Sequence, residues 1–361
     1  MNTTSKIDQF LFHPQIFKNS SDENMKVVDT IIEEQHPDII DDIDQQLEEY
    51  FFINNMLLSY DKEKYTKALK DYLKECADSK YGIWVYYPWK NTLVHTLEEE
   101  EFISVRTNRN IPKITKEEQN SLRSKKIGIV GLSVGREIAT TIVQERICGE
   151  IRLADYDKIE LANLNRLKVG IVEIGLPKVI SAARQIAEID PFIKVEIFPE
   201  GLNPGNLSEF FSKGGNLDLF YEESDGFDIK VLSRFKAREL KIPVIMETND
   251  RGMLDIERFD LENERDIFHG LVSEEELQNM PKLSKPEQLE VLKKIVSFDC
   301  VSDKMKYAFT QLGKSIKSWP QLSSDISFGA GMAAGTGRLI LLGEKVNSGR
   351  YYNDYFNKLK S

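Results

Sequence analysis

The spacing of apolar residues in the first hundred positions predicts helices. Two sets recur at helical intervals, namely Ile39, Ile43, Leu47 and Tyr50, and then Tyr65, Leu69, Tyr72 and Leu73. The stretch ends in two β-rich apolar runs, YGIWVYYPW and TLVHTL, which predict a hairpin. Glutamates fill residues 98–101, and such a charge run most often forms an exposed turn or a linker. We therefore expect residues 1–101 to be a mainly helical accessory region that ends in a hairpin, and residues 102–361 to be a separate domain.

Short apolar runs alternate with helical patterns after Lys126. The run IGIV predicts a buried strand, GLSVGRE a turn, IATTIVQERIC a helix and EIRLAD a second strand, which makes one βαβ unit. Helices predicted at 177–189, at NLSEFFSKG and at 229–240 alternate with the strands KVEIF, LDLFYEE and IPVIMET. Residues 255–318 are acidic and predict helices, and a Gly/Ala-rich helix, GAGMAAGTGRLILLG, follows. Strands that alternate with helices require a parallel sheet, so we predict an α/β fold with a doubly wound, mostly parallel, Rossmann-like sheet.

Composition and charge exclude several classes of protein. The 361 residues include 48 Lys and Arg against 59 Asp and Glu, and the formal charge of −11 argues against DNA as a partner. The cysteines Cys76, Cys148 and Cys300 have no C-x-x-C spacing, which argues against a disulfide framework and a cysteine-rich zinc site. Residues 1–10 lack the basic and apolar parts of a signal peptide, and no apolar run approaches the roughly 20 residues of a membrane span. We expect a cytoplasmic protein that does not associate with membranes.

A glycine turn, GLSVG at residues 131–135, lies between a predicted strand and a predicted helix. Backbone N–H groups and the helix dipole make such a turn a seat for phosphate. The turn departs from the dinucleotide pattern G-x-G-x-x-G, because Ser133 and Arg136 stand where glycines are needed. It also matches the nucleophile elbow G-x-S-x-G of serine hydrolases, with Asp225 and His269 following in the order of a triad. A tight turn without a ligand is the third interpretation.

Polar residues after the second strand favour the phosphate interpretation. Asp155 ends that strand 24 residues after Gly131, where a carboxylate can hydrogen-bond ribose hydroxyls. Asn163 and Arg166 are three residues apart, so one short turn can direct an amide and a guanidinium at the same phosphate chain.

Further charged residues complete the pattern. Lys178 lies in GLPK, Arg106 and Arg109 precede the first strand, and Asp225 follows a later strand at the sheet edge, where it can hold Mg²⁺. Singly, these residues are explained by turn capping or solvation. Together they predict a nucleoside triphosphate site, because phosphate transfer needs clustered cations and a metal-binding carboxylate, whereas hydride transfer needs neither. The predicted nucleotide-binding residues are Gly131, Ser133, Gly135, Arg136, Asp155, Asp157, Asn163, Arg166 and Lys178.

These motifs, in this order, resemble the ThiF family, which contains the ubiquitin-activating enzymes and the bacterial adenylyltransferases that activate sulfur-carrier proteins. The resemblance covers roughly residues 106–257 and rests on VRTNRNIPKITKEEQNSLRSKKIGIVG, ADYDKIELANLNR, GLPK and SDG. It implies that 102–361 is a ThiF-like adenylating domain that uses ATP and Mg²⁺, with Asp155 at the ribose and Asp225 at the magnesium. The implied triphosphate contacts are Asn163, Arg166 and Lys178. The implied catalytic residues are Arg109, Arg166, Lys178 and Asp225, with Arg109 reaching ATP across the interface of a homodimer.

The chain departs from the family pattern at three places. Ser133, Val134 and Arg136 replace glycines of the usual turn, and Arg136 either adds a phosphate contact or changes the position of the nucleotide. The paired C-x-x-C zinc motifs of many members are absent, and Asp225 is followed by glycine rather than the usual asparagine. The absence of the zinc motifs does not affect the predicted adenylation chemistry.

The expected function is adenylation, in which a substrate carboxylate attacks the α-phosphorus of ATP and pyrophosphate leaves. The carboxylate would belong to a ubiquitin-like or sulfur-carrier protein, a peptide or a small acid, and the charge disfavours the threonylcarbamoyl group of a transfer RNA. A serine hydrolase built on Ser133 and a non-catalytic nucleotide-binding subunit are the alternatives. Arg251 either receives the carboxylate or lies in a polar hairpin turn. Cys300 is not expected to be a nucleophile, because Asp299 and Asp303 should raise the pKa of its thiol.

Overall fold

The computed structural model describes residues 11–280 and 283–360. Residues 1–10, in which the sequence predicts no signal peptide, lie outside the described residues. Contacts divide the chain into two compact units. The first ends at Gln119 and also takes Arg184–Phe192, and the second comprises Asn120–Ala183 and the chain from Ile193 onward. The predicted domain boundary between residues 101 and 102 stays a prediction.

The first unit is built on a four-stranded sheet. Its strands are β1 (Gln15–Lys18), β2 (Asp38–Asp41), β3 (Ile83–Tyr87) and β4 (Thr92–Thr96), in the order β1-β3-β4-β2. Its helices are α1 (Asp22–Gln35), α2 (Ile43–Asn54), α3 (Lys62–Asp78) and α4 (Glu99–Thr107), and α5 (Lys116–Leu122) begins in this unit and ends in the second. The predicted hairpin is confirmed, since β3 and β4 pair antiparallel.

Two local predictions for this unit are wrong. Ile39, which was expected in a helix with Ile43, lies in β2 and pairs with Leu93 of β4. Residues 38–41 pair with β4 along the whole length of β2, so the helix α2 begins only at Ile43. The glutamates expected in an exposed turn or linker form the first turn of α4, where carboxylates are favoured by the positive end of the helix dipole.

The second unit contains a seven-stranded sheet. Its strands are β5 (Lys126–Val130), β6 (Glu150–Ala154), β7 (Lys194–Phe198), β8 (Leu219–Glu222), β9 (Val244–Thr248), β10 (Met253–Glu257) and β11 (Gly349–Tyr352). The order is β11-β10-β9-β8-β5-β6-β7, with parallel pairing from β7 through β9 and antiparallel pairing at β10 and β11. The predicted doubly wound, mostly parallel α/β sheet is therefore confirmed.

Helices accompany this sheet along the chain. They are α6 (Gly135–Glu145), α7 (Lys178–Ile189), α8 (Leu207–Ser212), α9 (Phe227–Glu239), α10 (Glu274–Asn279), α11 (Lys285–Ile295), α12 (Asp303–Gln311), α13 (Ser323–Leu341) and α14 (Tyr355–Lys358). The residues of α7 from Arg184 on belong to the first unit. None of the helices in the described part of the chain is long and apolar enough to cross a membrane.

Strand β10 corrects the prediction that residues from 255 onward are helical. The acidic sequence from residue 255 onward suggested a helix, but Met253–Glu257 form a strand and all five residues are buried. Asp255 pairs with His269 and Arg350, and Glu257 pairs with Arg234. Because ion pairing satisfies these carboxylates inside the fold, a polar pattern can form a central strand.

Helix α13 packs closely on α6 and β9 through small residues. A β-carbon at Gly337 would lie 1.9 Å from the hydroxyl oxygen of Tyr221. That hydroxyl is buried and donates a hydrogen bond to the carbonyl oxygen of Ala333 at 3.1 Å. The glycine therefore allows α13 to approach the sheet.

We predict that Gly337→Ala lowers the free energy of unfolding by about 1–3 kcal/mol, because the methyl group overpacks a filled contact. Gly331→Ala on the same helix is the control, since a β-carbon there has no neighbour within 4 Å. It should raise the free energy of unfolding by up to about 1 kcal/mol through lower backbone entropy of the unfolded chain. Urea denaturation of both variants measures the difference, and equal stabilities would contradict the packing argument.

Candidate active site

The order of strands reverses between β5 and β8, and this switch point is where open α/β sheets bind ligands. Gly131 directly follows β5 and has a φ of +83°. A β-carbon at this position would lie 2.3 Å from the carbonyl oxygen of Glu223, which follows β8. Only glycine fits this close approach and this backbone conformation. The predicted turn therefore lies at the carboxyl edge of the sheet, at the start of α6.

Asp155 fixes the position of the glycine turn. Its Oδ2 accepts a hydrogen bond from the backbone N–H of Leu132 at 2.7 Å, and its Oδ1 accepts one from the N–H of Asp157 at 2.7 Å. Burial raises the pKa of Asp155, and the nearby Lys178 ammonium opposes that effect. A buried carboxylate thus lies directly beside the turn, as its predicted role requires.

Lys178 joins this group from the first residue of α7. Its Nζ lies 2.7 Å from Oδ2 of Asp157 and 4.0 Å from Oδ2 of Asp155. The side chain is buried, whereas Asp157 is exposed. The structure therefore brings together four of the elements predicted from sequence: the turn, both aspartates and the lysine.

Three further residues of the predicted site are Arg166, Asn163 and Asp225. Arg166 donates from Nε to the hydroxyl oxygen of Ser133 at 3.1 Å. Burial lowers the pKa of Arg166, and the negative charge of Asp225 acts in the opposite direction, so the two side chains interact electrostatically. Asn163 accepts a hydrogen bond at Oδ1 from the N–H of Glu160 at 2.8 Å. Its Nδ2 has no hydrogen-bond partner among the described residues, so both of its protons can be donated.

Two of the predicted residues lie elsewhere or have other contacts. The buried Arg136 donates from Nη1 to Ser181 Oγ at 2.5 Å, and its Nη2 lies 4.0 Å from Glu173. Its contact with phosphate stays a prediction. Arg109 lies in a 3₁₀ turn, Asn108–Asn110, of the first unit, and its role also stays a prediction.

The triad of the serine-hydrolase alternative is not assembled. Nε2 of His269 lies 3.0 Å from Oδ1 of Asp255, and its Nδ1 lies 2.9 Å from Nη2 of Arg265. Ser133 instead accepts a hydrogen bond from Arg166. Both nitrogens of the histidine are engaged by Asp255 and Arg265, so the contacts of the described residues do not support the hydrolase interpretation.

Arg251 lies in the turn between β9 and β10, as the polar-turn alternative predicted. Its Nε is 2.8 Å from Oδ2 of Asp354, and its Nη1 donates to the carbonyl oxygen of Cys300 at 2.7 Å. The thiol of Cys300 is exposed, whereas Cys76 and Cys148 are buried. Arg251 thus ties the hairpin to the C-terminal segment.

Sequence reasoning missed a pair of buried glutamates at the same sheet edge. Glu223 accepts a hydrogen bond at Oε1 from the backbone N–H of Glu247 at 2.9 Å. Glu247 is only 4% exposed, and neither of its carboxyl oxygens has a hydrogen-bond partner among the described residues. Burial, and then the charge of Asp325, raise the pKa of Glu247 to about 8. The only signal in the sequence was that both strand-end motifs, YEES and IMET, carry a glutamate.

The family model described as ThiF matches residues 105–312. Uncharacterized protein MT1398 of Mycobacterium tuberculosis (strain CDC 1551 / Oshkosh) is 42% identical over 267 residues, which are 74% of this chain and 37% of that protein. Ubiquitin-like modifier-activating enzyme 5 of Drosophila virilis is 30% identical over 119 residues, 30% of each chain. The chain thus spans about a third of the length of the curated relatives it matches.

Solved structures with a similar arrangement include PaaA and the Escherichia coli MccB complex with MccA-N7isoASN. PaaA has a TM-score of 0.49 and 19% identity, and covers 71% of this chain and 84% of its own. The MccB complex has a TM-score of 0.49 and 16% identity, over 68% of this chain and 67% of its own.

We predict that the Glu247 carboxyl makes stability depend on pH. In the folded chain it holds its proton up to about pH 8, and in the unfolded chain only up to about 4.5, so folding takes up a proton between these values. Its contribution to stability is unimpaired below pH 4.5 and is lost as pH rises towards 8, by about 1.4 kcal/mol for each pH unit.

Glu247→Gln removes this titration. Its free energy of unfolding, measured by urea denaturation at several pH values, should rise relative to wild type between pH 4.5 and 8 and then stay level. Glu344→Gln, at an exposed glutamate, is the control and should parallel wild type. A constant difference between Glu247→Gln and wild type across this range would contradict the assignment.

Proposed function

Because the chain belongs to the ThiF family, we propose that it is an ATP- and Mg²⁺-dependent adenylyltransferase that activates a substrate carboxylate. The observation that carries the proposal is the group formed by the glycine turn, Asp155 and Lys178 at the switch point of the sheet. It combines a helix N-terminus with an acid suited to ribose and a cation suited to phosphate.

The nucleotide would lie along the turn. Asp155 would hydrogen-bond the ribose, with Asp157 beside it, and the N-terminus of α6 would face the phosphates. Lys178, Arg166 and the Nδ2 group of Asn163 would bind the triphosphate. Lys178 now pairs with the carboxylate of Asp157, and Arg166 donates to the hydroxyl oxygen of Ser133. Both contacts would be exchanged for the stronger negative charge of the phosphates.

Magnesium fits the chemistry of Asp225. This carboxylate is exposed and has no hydrogen bond or ion pair among the described residues, so its oxygens are open to a cation. No group of three or more His, Cys, Asp or Glu side chains suited to a metal occurs in the described part of the chain. A single carboxylate agrees with Mg²⁺, which usually takes one or two carboxylates together with substrate phosphates and water. When bound, the ion would neutralise charge on the phosphates.

The reaction needs alignment rather than acid or base catalysis. The substrate carboxylate is ionised at neutral pH, and one of its oxygens would form a bond to the α-phosphorus of ATP while the bond to the bridging oxygen of pyrophosphate breaks. The products are an acyl-adenylate and pyrophosphate. Arg166 and Lys178 would stabilise the negative charge that builds up on the phosphates. We assign the carboxylate to a ubiquitin-like or sulfur-carrier protein, a peptide or a small acid, and the first of these is supported by the name of the Drosophila virilis relative.

A homodimer in the cytoplasm is part of the proposal. The segment that follows Asp155 exposes several large apolar side chains, and Val172 is 91% exposed. Such a patch beside a site favours burial by another chain, and a second copy would also supply Arg109. The patch consists of Leu161, Ile171, Val172 and Ile174. All three cysteines are free thiols, which favours a reducing compartment.

We predict that the chain binds Mg·ATP much more tightly than NAD in calorimetry, and that it exchanges labelled pyrophosphate into ATP when fractions of cell extract supply the acid. Asp225→Asn should lower the exchange rate roughly a hundredfold, because a metal contributes several kcal/mol to the stabilisation of phosphate charge. Asp228→Asn, at an exposed aspartate three residues away, should keep the exchange rate of wild type. Tight binding of NAD without binding of ATP would overturn the proposed function.

We also predict that two inactive chains restore activity when mixed. Arg109→Ala and Lys178→Ala should each lack pyrophosphate exchange, and a mixed dimer should contain one intact site with Arg109 from one subunit and Lys178 from the other. Random pairing makes about half of the dimers mixed, and each mixed dimer has one intact site out of two. Unfolding and reassembling the two variants together should therefore recover up to about a quarter of the wild-type rate. Absence of recovery in dimers that sedimentation confirms as mixed would show that Arg109 acts within its own subunit.

A further inference from the structure

Strand β2 forms an open edge of the sheet in the first unit. Among the described residues it pairs with β4 alone. The N–H of Asp38 donates to the carbonyl oxygen of Asn91 at 3.0 Å. Because alternate residues of a parallel strand bond to the same neighbour, Asp38 and Ile40 present their backbone groups to β4, and Ile39 and Asp41 present theirs away from the sheet. The outer side of β2 is therefore ready to pair with another strand.

The apolar layers on both faces of the sheet continue to this edge. Ile39 pairs with Leu93, which packs with Val28 and Ile31, and Ile40 pairs with Val94 on the opposite face. At the edge the two isoleucines are 51% and 48% exposed. Edge strands usually carry charged residues or proline, so two exposed isoleucines on β2 are unusual. A strand that paired with β2 would bury their apolar surface, which is now open to water.

The charge around β2 indicates what kind of strand this would be. Residues 27–61 contain ten aspartates and glutamates and no lysine or arginine. Asp38 and Asp42 are exposed beside the isoleucines, and the carboxylate of Asp41 lies 2.8 Å from Nδ1 of His95. A second copy of this edge would bring like charges together, whereas a basic segment would find complementary charge.

We propose that β2 is a docking edge for an extended basic segment of a partner protein, which adds to the sheet as a fifth strand. The backbone of Ile39 and Asp41 would supply the hydrogen bonds. A pair of apolar residues in the segment would cover Ile39 and Ile40, and lysines or arginines on each side would face the aspartates. The sequence Asp-Ile-Ile-Asp of β2 thus fits a segment with the order basic, apolar, apolar, basic. This inference does not depend on the proposed adenylation.

The test uses the full chain and a fluorescein-labelled peptide that repeats the core Lys-Val-Val-Lys, with binding followed by fluorescence anisotropy. Wild type should bind this peptide, and the same peptide with glutamates for lysines should not bind. Methylation of alternate backbone nitrogens of the peptide should weaken binding at least about tenfold, because strand pairing needs those N–H groups while charge attraction does not.

A matched pair of variants at one position completes the test. Ile39→Pro removes an outward N–H without touching the ladder to β4, and it should weaken binding about tenfold. Ile39→Val keeps both the N–H and the apolar surface and should bind as wild type does. If circular dichroism finds Ile39→Pro unfolded, the methylated peptide on wild type decides the question.

Three results would overturn the proposal. Equal binding of the methylated and unmethylated peptides would mean charge attraction without strand addition. Absence of binding by the basic peptide would remove the assigned partner chemistry. Concentration-dependent dimerisation of wild type that Ile39→Pro abolishes would make a second copy of the chain the occupant of the edge.

Discussion

The contact between Gly131 and the backbone of Glu223 is the constraint on which the second unit depends. It brings the ends of β5 and β8 so close that no β-carbon fits between them. The turn that follows is consequently held at the point where the strand order reverses, and the N-terminus of α6 opens towards the same edge. Asp155 then binds the turn through the N–H of Leu132, and Lys178 lies beside that carboxylate. The position of the turn, and with it the hydrogen bond from Leu132 to Asp155, depends on a steric condition at a single glycine.

The parallel sheet and much of the site could be predicted from the sequence because both depend on local patterns. Strands such as IGIV and KVEIF are short apolar runs between turns, and their observed bounds agree with the pattern. Asp155 and the turn were predictable because parallel topology carries strand ends to one edge, whatever the details of packing. The family was predicted correctly for the same reason, since its motifs lie at those strand ends.

Other features could not be predicted, because they depend on partners that are distant in sequence. Residues 255–257 of β10 were predicted as part of an acidic helical region, and only the folded chain supplies Arg234, His269 and Arg350 to pair with their carboxylates. Arg234 is fully buried between Glu222 and Glu257, and both ion pairs are shorter than 3 Å, at 2.6 Å and 2.7 Å. Removing one partner from such a group leaves an uncompensated buried charge, so the segment from β8 to β10 tolerates little change. The contact of Arg166 with Ser133 likewise depends on side-chain packing that spacing does not reveal.

The close packing of Glu247 against Gly329 of α13 couples two positions that are distant in sequence. A β-carbon at Gly329 would lie 2.1 Å from Oε1 of Glu247, so the carboxyl occupies the space that any other residue at 329 needs. Glutamate at 247 therefore requires glycine at 329, and a larger residue on the helix requires a shorter one on the strand. A larger residue at 329 is blocked until residue 247 is shortened, so the two positions should vary together among related sequences.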